Sequence, residues 1–92
     1  MNLRNAARDK PCLGRFPSIC NFDESTTVLA HLRRGGIAGT AYKGAGDLAA
    51  IRLCSACHSA LDQRPWTVEP DWIIDGLCRT LDAVVREGLV QV

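Results

Sequence analysis

The sequence lacks any apolar run near the roughly 20 residues that a membrane-spanning helix needs, so we expect no membrane partner. Its first ten residues are polar and charged, which predicts that no secretory signal is present and that the protein is cytoplasmic. Aromatic residues make up only 5% of the 92 residues. A chain of this length is typical of a single domain over residues 1–92, and so small a core gains from an additional cross-link.

A strong net charge is also absent, since the formal value is +1, and the hydrophobic fraction of 47% is that of an ordinary folded protein. The charge is nevertheless uneven. Residues 1–52 hold eight Lys and Arg against four Asp and Glu, whereas residues 53–92 hold three against six. The first half of the chain could therefore present a basic face to a polyanion.

The order of apolar and turn-forming residues predicts a small α+β fold. Residues 26–32 predict a strand that ends near His31, and residues 48–53 predict a second one. Between them, residues 35–46 contain five glycines and predict a loop. Residues 54–58 predict a tight knuckle, with a helix from Ser59 that ends before Pro65.

The clearest element is an amphipathic helix near the C-terminus. Pro70 and Asp71 predict its start, and Gly88 predicts its end. Apolar residues recur along it at spacings of three and four, which is the helical period: Ile73, Ile74, Leu77, Leu81, Val84 and Val85. Cys78 lies beside this stripe, and we interpret it as a small buried apolar residue.

The remaining four cysteines are candidates for the cross-link. An odd total of five, in a chain with no expected secretory signal, favours a metal site over disulfides. Cys54 and Cys57 have the two-residue spacing that lets two thiolates reach one ion. Cys12 and Cys20, more widely spaced, would complete the four-thiolate shell of a structural Zn²⁺.

Several alternatives to this zinc site remain open. The cysteines could be buried free thiols, or His31 or His58 could replace one of them as a ligand. Residues 54–58 also match the haem-attachment pattern Cys-x-x-Cys-His. Haem attachment normally needs export, however, and Met1 is the only methionine that could serve as a distal ligand.

Taken in order, these features resemble an HNH endonuclease with a ββα-metal (His-Me finger) core. More narrowly, the chain resembles the small prophage-encoded nucleases of the YbcO family over about residues 2–64. Four features carry that resemblance: the segment Leu3–Arg8 (LRNAAR), the segment Val28–His31 (VLAH), the segment Cys54–His58 (CSACH) and the following Asp62.

The resemblance implies a role for each histidine. His31 would be the general base that activates water against a DNA phosphodiester, a task suited to an imidazole near neutral pH. His58 would bind a catalytic Mg²⁺ or Mn²⁺, which neutralises charge on the scissile phosphate. The zinc would be structural and would hold the two histidines in register.

Two positions depart from the HNH pattern. Ala30 occupies the place of the usual metal ligand before the base, and Ala49 occupies that of the middle asparagine. Asp47 or Asp62 could complete the ion's oxygen shell. Asp47 could instead be a turn residue, and Asp62 a solvated or Arg-paired carboxylate. The departures leave open a catalytically inactive, zinc-stabilised module that binds nucleic acid or a phage protein.

Four basic residues are candidates for contacts with a DNA backbone, because guanidinium and ammonium groups suit phosphate. Arg33 and Arg34 lie two and three residues after His31, Lys43 lies in the glycine-rich loop, and Arg52 precedes the knuckle. Ordinary solvated surface charge is the alternative for each of them. A homodimer could address both DNA strands, although nothing in the sequence requires one.

Overall fold

A computed structural model describes residues 2–32 and 47–90 of the chain. These residues form the α+β fold that the sequence predicts, with one two-stranded sheet and helices α1, α2 and α3. The elements in chain order are α1 (Leu3–Ala6), β1 (Val28–His31), β2 (Ala50–Leu53), α2 (Ser55–Gln63) and α3 (Pro70–Arg86). No helix in this part of the chain is long and apolar enough to cross a membrane. Arg33, Arg34 and Lys43 lie outside the described residues.

The two strands form an antiparallel pair in which Val28 is opposite Leu53 and His31 is opposite Ala50. All four residues of β2 are buried, whereas β1 is exposed at Val28. Helix α3 packs against β2, which explains why that strand has no exposed face. His31 is therefore the last residue of a strand anchored by the core.

The predicted bounds of α3 are confirmed. Pro70 is its first residue, where the missing N–H of proline costs nothing. At the other end, Gly88 adopts a φ of 74°, and the N–H of Leu89 donates to the carbonyl of Val84 at 3.0 Å. This is the Schellman arrangement, in which glycine tolerates the left-handed conformation that closes a helix.

The buried face of α3 differs from the predicted apolar stripe. The fully buried residues are Gly76, Thr80 and Val84. A Cβ built on Gly76 would lie 3.0 Å from Cγ2 of Ile51 and 3.2 Å from Cα of Gly14, so the missing side chain sets how closely the helix approaches β2. The hydroxyl of Thr80 then accepts the backbone N–H of Arg52 at 3.2 Å.

As a consequence, part of the predicted stripe faces outward. Ile74 is 57% exposed, and Leu81 and Val85 are also exposed. Cys78 is exposed as well, so its interpretation as a buried apolar residue is wrong. The reason is that Gly76 and Thr80, which a hydrophobicity pattern does not single out, face the sheet.

Helix α2 begins earlier than predicted. Its first residue is Ser55 and not Ser59, so the expected knuckle is the first turn of the helix. The thiol of Cys54 caps this turn by accepting the N–H of Cys57 at 3.4 Å. Sulfur here replaces the side-chain oxygen by which helix starts are usually recognised. The helix ends at Gln63, before Pro65, as predicted.

Candidate functional site

Cys12, Cys20, Cys54 and Cys57 converge as predicted, with all four Sγ atoms within 4.8 Å of one another. The Sγ atoms of Cys20 and Cys54 are 3.8 Å apart. A disulfide would need about 2.05 Å, whereas thiolates bound tetrahedrally at about 2.3 Å from zinc lie about 3.8 Å apart. The cluster could therefore hold a metal ion such as zinc.

The loop before β1 explains how cysteines eight positions apart reach one point. Phe16 is 1% exposed and stacks on Trp72 of α3, with ring centroids 6.2 Å apart. Arg15 and Ser18, on either side of this anchor, adopt φ values of 47° and 64°. These left-handed residues turn the backbone sharply, so the loop folds back around Phe16.

The thiols also interact electrostatically. A hydrogen bond from the Cys57 thiol lowers the pKa of Cys12 to about 4. The Cys57 thiol donates this hydrogen bond, and that bond together with burial raises the pKa of Cys57. Burial also raises the pKa of Cys20, to about 11. One thiolate is thus stabilised at the expense of its neighbours. Only a bound cation would let all four sulfurs carry negative charge together.

His31 and Asp47 form the second notable pair. Nε2 of His31 lies 2.6 Å from Oδ1 of Asp47, and the two side chains are only 19% and 24% exposed. The strand pairing explains the contact, because Asp47 lies three residues before Ala50, the residue of β2 that is opposite His31. In the tautomer where Nε2–H donates to Asp47, Nδ1 keeps the lone pair that can accept a proton.

His58 and Asp62 lie one turn apart on α2, with Nε2 and Oδ2 3.2 Å apart. Their side chains are 38% and 40% exposed, so both donor groups are open to solvent. Within residues 2–32 and 47–90, the four cysteines form the one group of three or more metal-ligating atoms that lie this close together. The structure thus brings Asp47 to His31 and Asp62 to His58, as two separate pairs.

Arg52 does not take the exposed position that a phosphate contact requires. Its side chain is 2% exposed, and its guanidinium bonds both carboxylate oxygens of Glu87, at 2.7 and 2.8 Å. The prediction that Arg52 contacts nucleic acid is therefore wrong. The buried strand β2 holds it in the core, where it needs a carboxylate partner.

Arg4 is a candidate residue to which the sequence assigned no role. Its Nε lies 3.5 Å from Oδ1 of Asp47, the same oxygen that contacts His31, and its side chain is 57% exposed. Arg4 lies on α1, far from Asp47 in the sequence, so no local spacing indicates this contact. Its place in the segment Leu3–Arg8, which carried the family resemblance, was the only available signal.

Comparisons with known proteins agree with one another. The family model described as "Putative nuclease YbcO" matches residues 1–89. The chain is 38% identical to proteins of that name from Escherichia coli (strain K12) and Enterobacteria phage 82, covering 98% of this chain and 97% of each relative. It is also similar to a solved chain titled "Structure of a putative bacteriophage protein from Escherichia coli str. K-12 substr. MG1655". That match has a TM-score of 0.71 and 33% identity, over 95% of this chain and 100% of the other.

Proposed function

This chain belongs to the YbcO family, and on that premise we propose that it is a metal-dependent endonuclease of the HNH type that hydrolyses DNA phosphodiester bonds. The observation that carries the proposal is the short His31–Asp47 contact at the end of β1. A histidine held by a carboxylate through one ring nitrogen can act as a general base through the other.

In this mechanism His31 accepts a proton from water at Nδ1 while the water oxygen attacks phosphorus. The bond from phosphorus to the leaving sugar oxygen then breaks. Asp47 keeps Nε2 protonated, orients the ring, and stabilises the imidazolium that forms. Asp47 is thus a positioning residue, and the ion-binding role considered for it from sequence passes to Asp62.

His58 and Asp62 would hold the catalytic Mg²⁺ or Mn²⁺. They fit the task because an imidazole nitrogen and a carboxylate oxygen lie 3.2 Å apart on an exposed helix face. Two protein donors leave positions for water and substrate phosphate, which is how proteins usually hold Mg²⁺. When bound, the ion neutralises charge on the scissile phosphate and the leaving oxygen.

The four-cysteine cluster would hold a structural Zn²⁺. Four thiolates close the coordination shell and leave no position for substrate. The cluster joins the loop before β1, the end of β2 and the first turn of α2. Because Cys57 directly precedes His58, the zinc would fix the part of α2 that carries the catalytic ion.

DNA backbone contacts would come from Arg4, together with the sequence-predicted Arg33, Arg34 and Lys43. Arg4 supports this role because its exposed guanidinium lies beside Asp47 and hence beside the proposed base. Arginine forms paired hydrogen bonds with phosphate oxygens that fix a backbone in register.

A catalytically inactive module that binds nucleic acid or protein is the second candidate. Two alanines, Ala30 and Ala49, stand where HNH enzymes carry a metal ligand and an asparagine. In addition, no third His, Cys, Asp or Glu among the described residues forms a metal-ligating group with His58 and Asp62. Both observations favour a site that binds its catalytic ion weakly or not at all.

Plasmid cleavage separates the two candidates. Zinc-loaded protein is incubated with supercoiled DNA and Mg²⁺ or Mn²⁺. The variants His31→Ala and His58→Ala are assayed in parallel, after circular dichroism has shown that they fold as the wild type does. We expect nicking or linearisation by the wild type and a loss of about 10²–10⁴-fold in His31→Ala, the usual contribution of a general base. A folded wild type that cuts with neither ion would support the binding module. Equal cutting by wild type and His31→Ala would reject His31 as the base.

A further inference from the structure

A cavity lies along one side of α2, and none of its lining residues belongs to the four-cysteine cluster or to the two His–Asp pairs. Its volume is about 290 Å³, and its lining combines hydroxyl groups, small apolar surface and one cation: Ser18, Ile19, Ala56, Ser59, Arg64 and Thr67. Within the described part of the chain, no carboxylate lies within 4.0 Å of the Arg64 guanidinium. A guanidinium beside hydroxyl donors is a combination suited to a phosphate group.

Trp66 lies between two of these lining residues, in the short 3-10 turn Pro65–Thr67. Its side chain is 79% exposed, more than that of any other large apolar residue described. Phe22, three residues after the lining residue Ile19, is 76% exposed. Phe16 and Trp72, by contrast, stack on each other. A chain with so few aromatic residues therefore leaves two of them in solvent, each within three sequence positions of a residue that lines this cavity.

We propose that this cavity is a subsite for an unpaired nucleotide of the DNA strand, with the phosphate at Arg64 and the base stacked on Trp66. Aromatic stacking beside a positive charge is how proteins hold single-stranded nucleic acid. A base within a duplex is stacked and paired, and its face is not accessible to an indole. The proposal rests on the nuclease function above and adds to it a preference for single-stranded or locally unpaired substrate.

The position of the subsite on α2 agrees with this substrate. Ala56 and Ser59 line the cavity, while His58 and Asp62 lie about a third of a turn further around the same helix. A strand that crosses α2 could therefore occupy the subsite and reach the proposed catalytic ion.

The direct test is the binding of a fluorescein-labelled 12-nucleotide single strand and of the matching duplex, followed by fluorescence anisotropy. Zinc-loaded protein is used without added Mg²⁺ or Mn²⁺, so the substrate stays intact. We expect the single strand to bind more tightly, and Trp66→Ala to weaken its binding about fivefold or more. Trp66→Phe keeps a stacking surface and should restore most of the affinity.

Arg64→Ala should lower the slope of log affinity against log salt by about 0.7, the value for one phosphate contact on a single strand. Arg86→Ala is the control, because Arg86 is also an exposed arginine but lies on α3, where it pairs with Asp82. Tryptophan fluorescence gives an independent readout. Quenching by the oligonucleotide should disappear in Trp66→Phe and persist in Trp72→Phe, since Trp72 packs on Phe16.

Duplex binding equal to single-strand binding would overturn the proposal. So would wild-type affinity in both Trp66→Ala and Arg64→Ala, or an equal loss in Arg86→Ala. Failure of the nuclease function is seen separately. His31→Ala should bind the single strand as wild type does although its plasmid cleavage falls by about 10²–10⁴-fold, so the binding assay and the cleavage assay test the two proposals independently.

Discussion

The buried guanidinium of Arg52 is held by Glu87, which lies just beyond the end of α3, through two hydrogen bonds of 2.7 and 2.8 Å. This pair joins the buried strand β2 to the C-terminal cap of α3. The Nε of Arg52 is buried and has no hydrogen-bond partner among the described residues. Glu87 is therefore the group that compensates a charge taken out of water.

Removing Glu87 should destabilise the protein more than removing an ordinary surface carboxylate. We expect Glu87→Ala to lower the free energy of unfolding by about 2 kcal/mol, somewhat below the roughly 3–5 kcal/mol of a fully buried pair, because Glu87 is itself partly exposed. Asp75→Ala, an exposed position on α3, is the control and should change it by less than about 0.5 kcal/mol. Urea unfolding of zinc-loaded protein measures the free energy of unfolding of both variants. Equal losses in the two would contradict the role of Glu87 as the partner of the buried Arg52.

The same pair should contribute to the pH dependence of stability. The hydrogen bonds from Arg52 lower the pKa of Glu87 below its ordinary value of 4.5. A carboxylate with a lowered folded-state pKa adds stability above its unfolded-state pKa, and this stability is lost as the pH falls through the folded-state pKa. The stability difference between wild type and Glu87→Gln should thus be constant near pH 7 and shrink below about pH 4.5. A difference that does not change with pH would reject the linkage.

Thiol reactivity should distinguish Cys78 from the other cysteines. Cys78 is exposed, whereas the four clustered thiols would be ligands to zinc. We expect iodoacetamide to add one label to the zinc-loaded chain and five after chelation and unfolding, as counted by mass spectrometry. Cys78→Ser should take up none while zinc is bound. Two or more labels on the loaded wild type would show that the cluster does not protect its thiols.

The close approach of α3 to β2 should make Gly76 sensitive to size. A Cβ there would already lie 3.0 Å from Cγ2 of Ile51 and 3.2 Å from Cα of Gly14. We expect Gly76→Leu to destabilise the protein by about 1–3 kcal/mol or more, the usual cost of overpacking. Asp75→Leu introduces the same side chain on the exposed side of α3 and should cost much less. Thermal unfolding compares the two, and similar melting temperatures would contradict this packing.

The His31–Asp47 contact should appear in the kinetics of cleavage. Asp47→Asn keeps the size of the side chain but removes the charge that would stabilise the imidazolium. We expect the cleavage rate to fall at least tenfold while affinity for the single-stranded oligonucleotide stays near that of the wild type. Asp62→Asn should instead raise the Mg²⁺ or Mn²⁺ concentration needed for half-maximal cleavage. If Asp47→Asn also raised the metal concentration needed for half-maximal cleavage, Asp47 would be a ligand of the ion and not a positioning residue.

Much of the fold was readable from the sequence, because local rules determine it. Pro70 and Gly88 mark α3 through the special backbone properties of proline and glycine, and the β-branched residues Thr26, Thr27 and Val28 lead into β1. The spacing of Cys54 and Cys57, together with Cys12 and Cys20, was enough to predict that four cysteines converge. The predicted start of α2 was four residues too late for an equally local reason. The thiol of Cys54 caps the first turn of this helix, where a side-chain oxygen is the usual cap.

The tertiary structure decided which side chains meet. Arg52 and Glu87, and Arg4 and Asp47, are far apart in the sequence, so no spacing could reveal either contact. Gly76 set which face of α3 is buried and hence that Cys78 is exposed. The sequence alone thus determined the α+β class, the bounds of α3 and the four cysteines that could hold a metal ion. Only the packing decided which charges are buried and which carboxylate contacts each histidine. Those contacts depend on how closely separate elements approach one another.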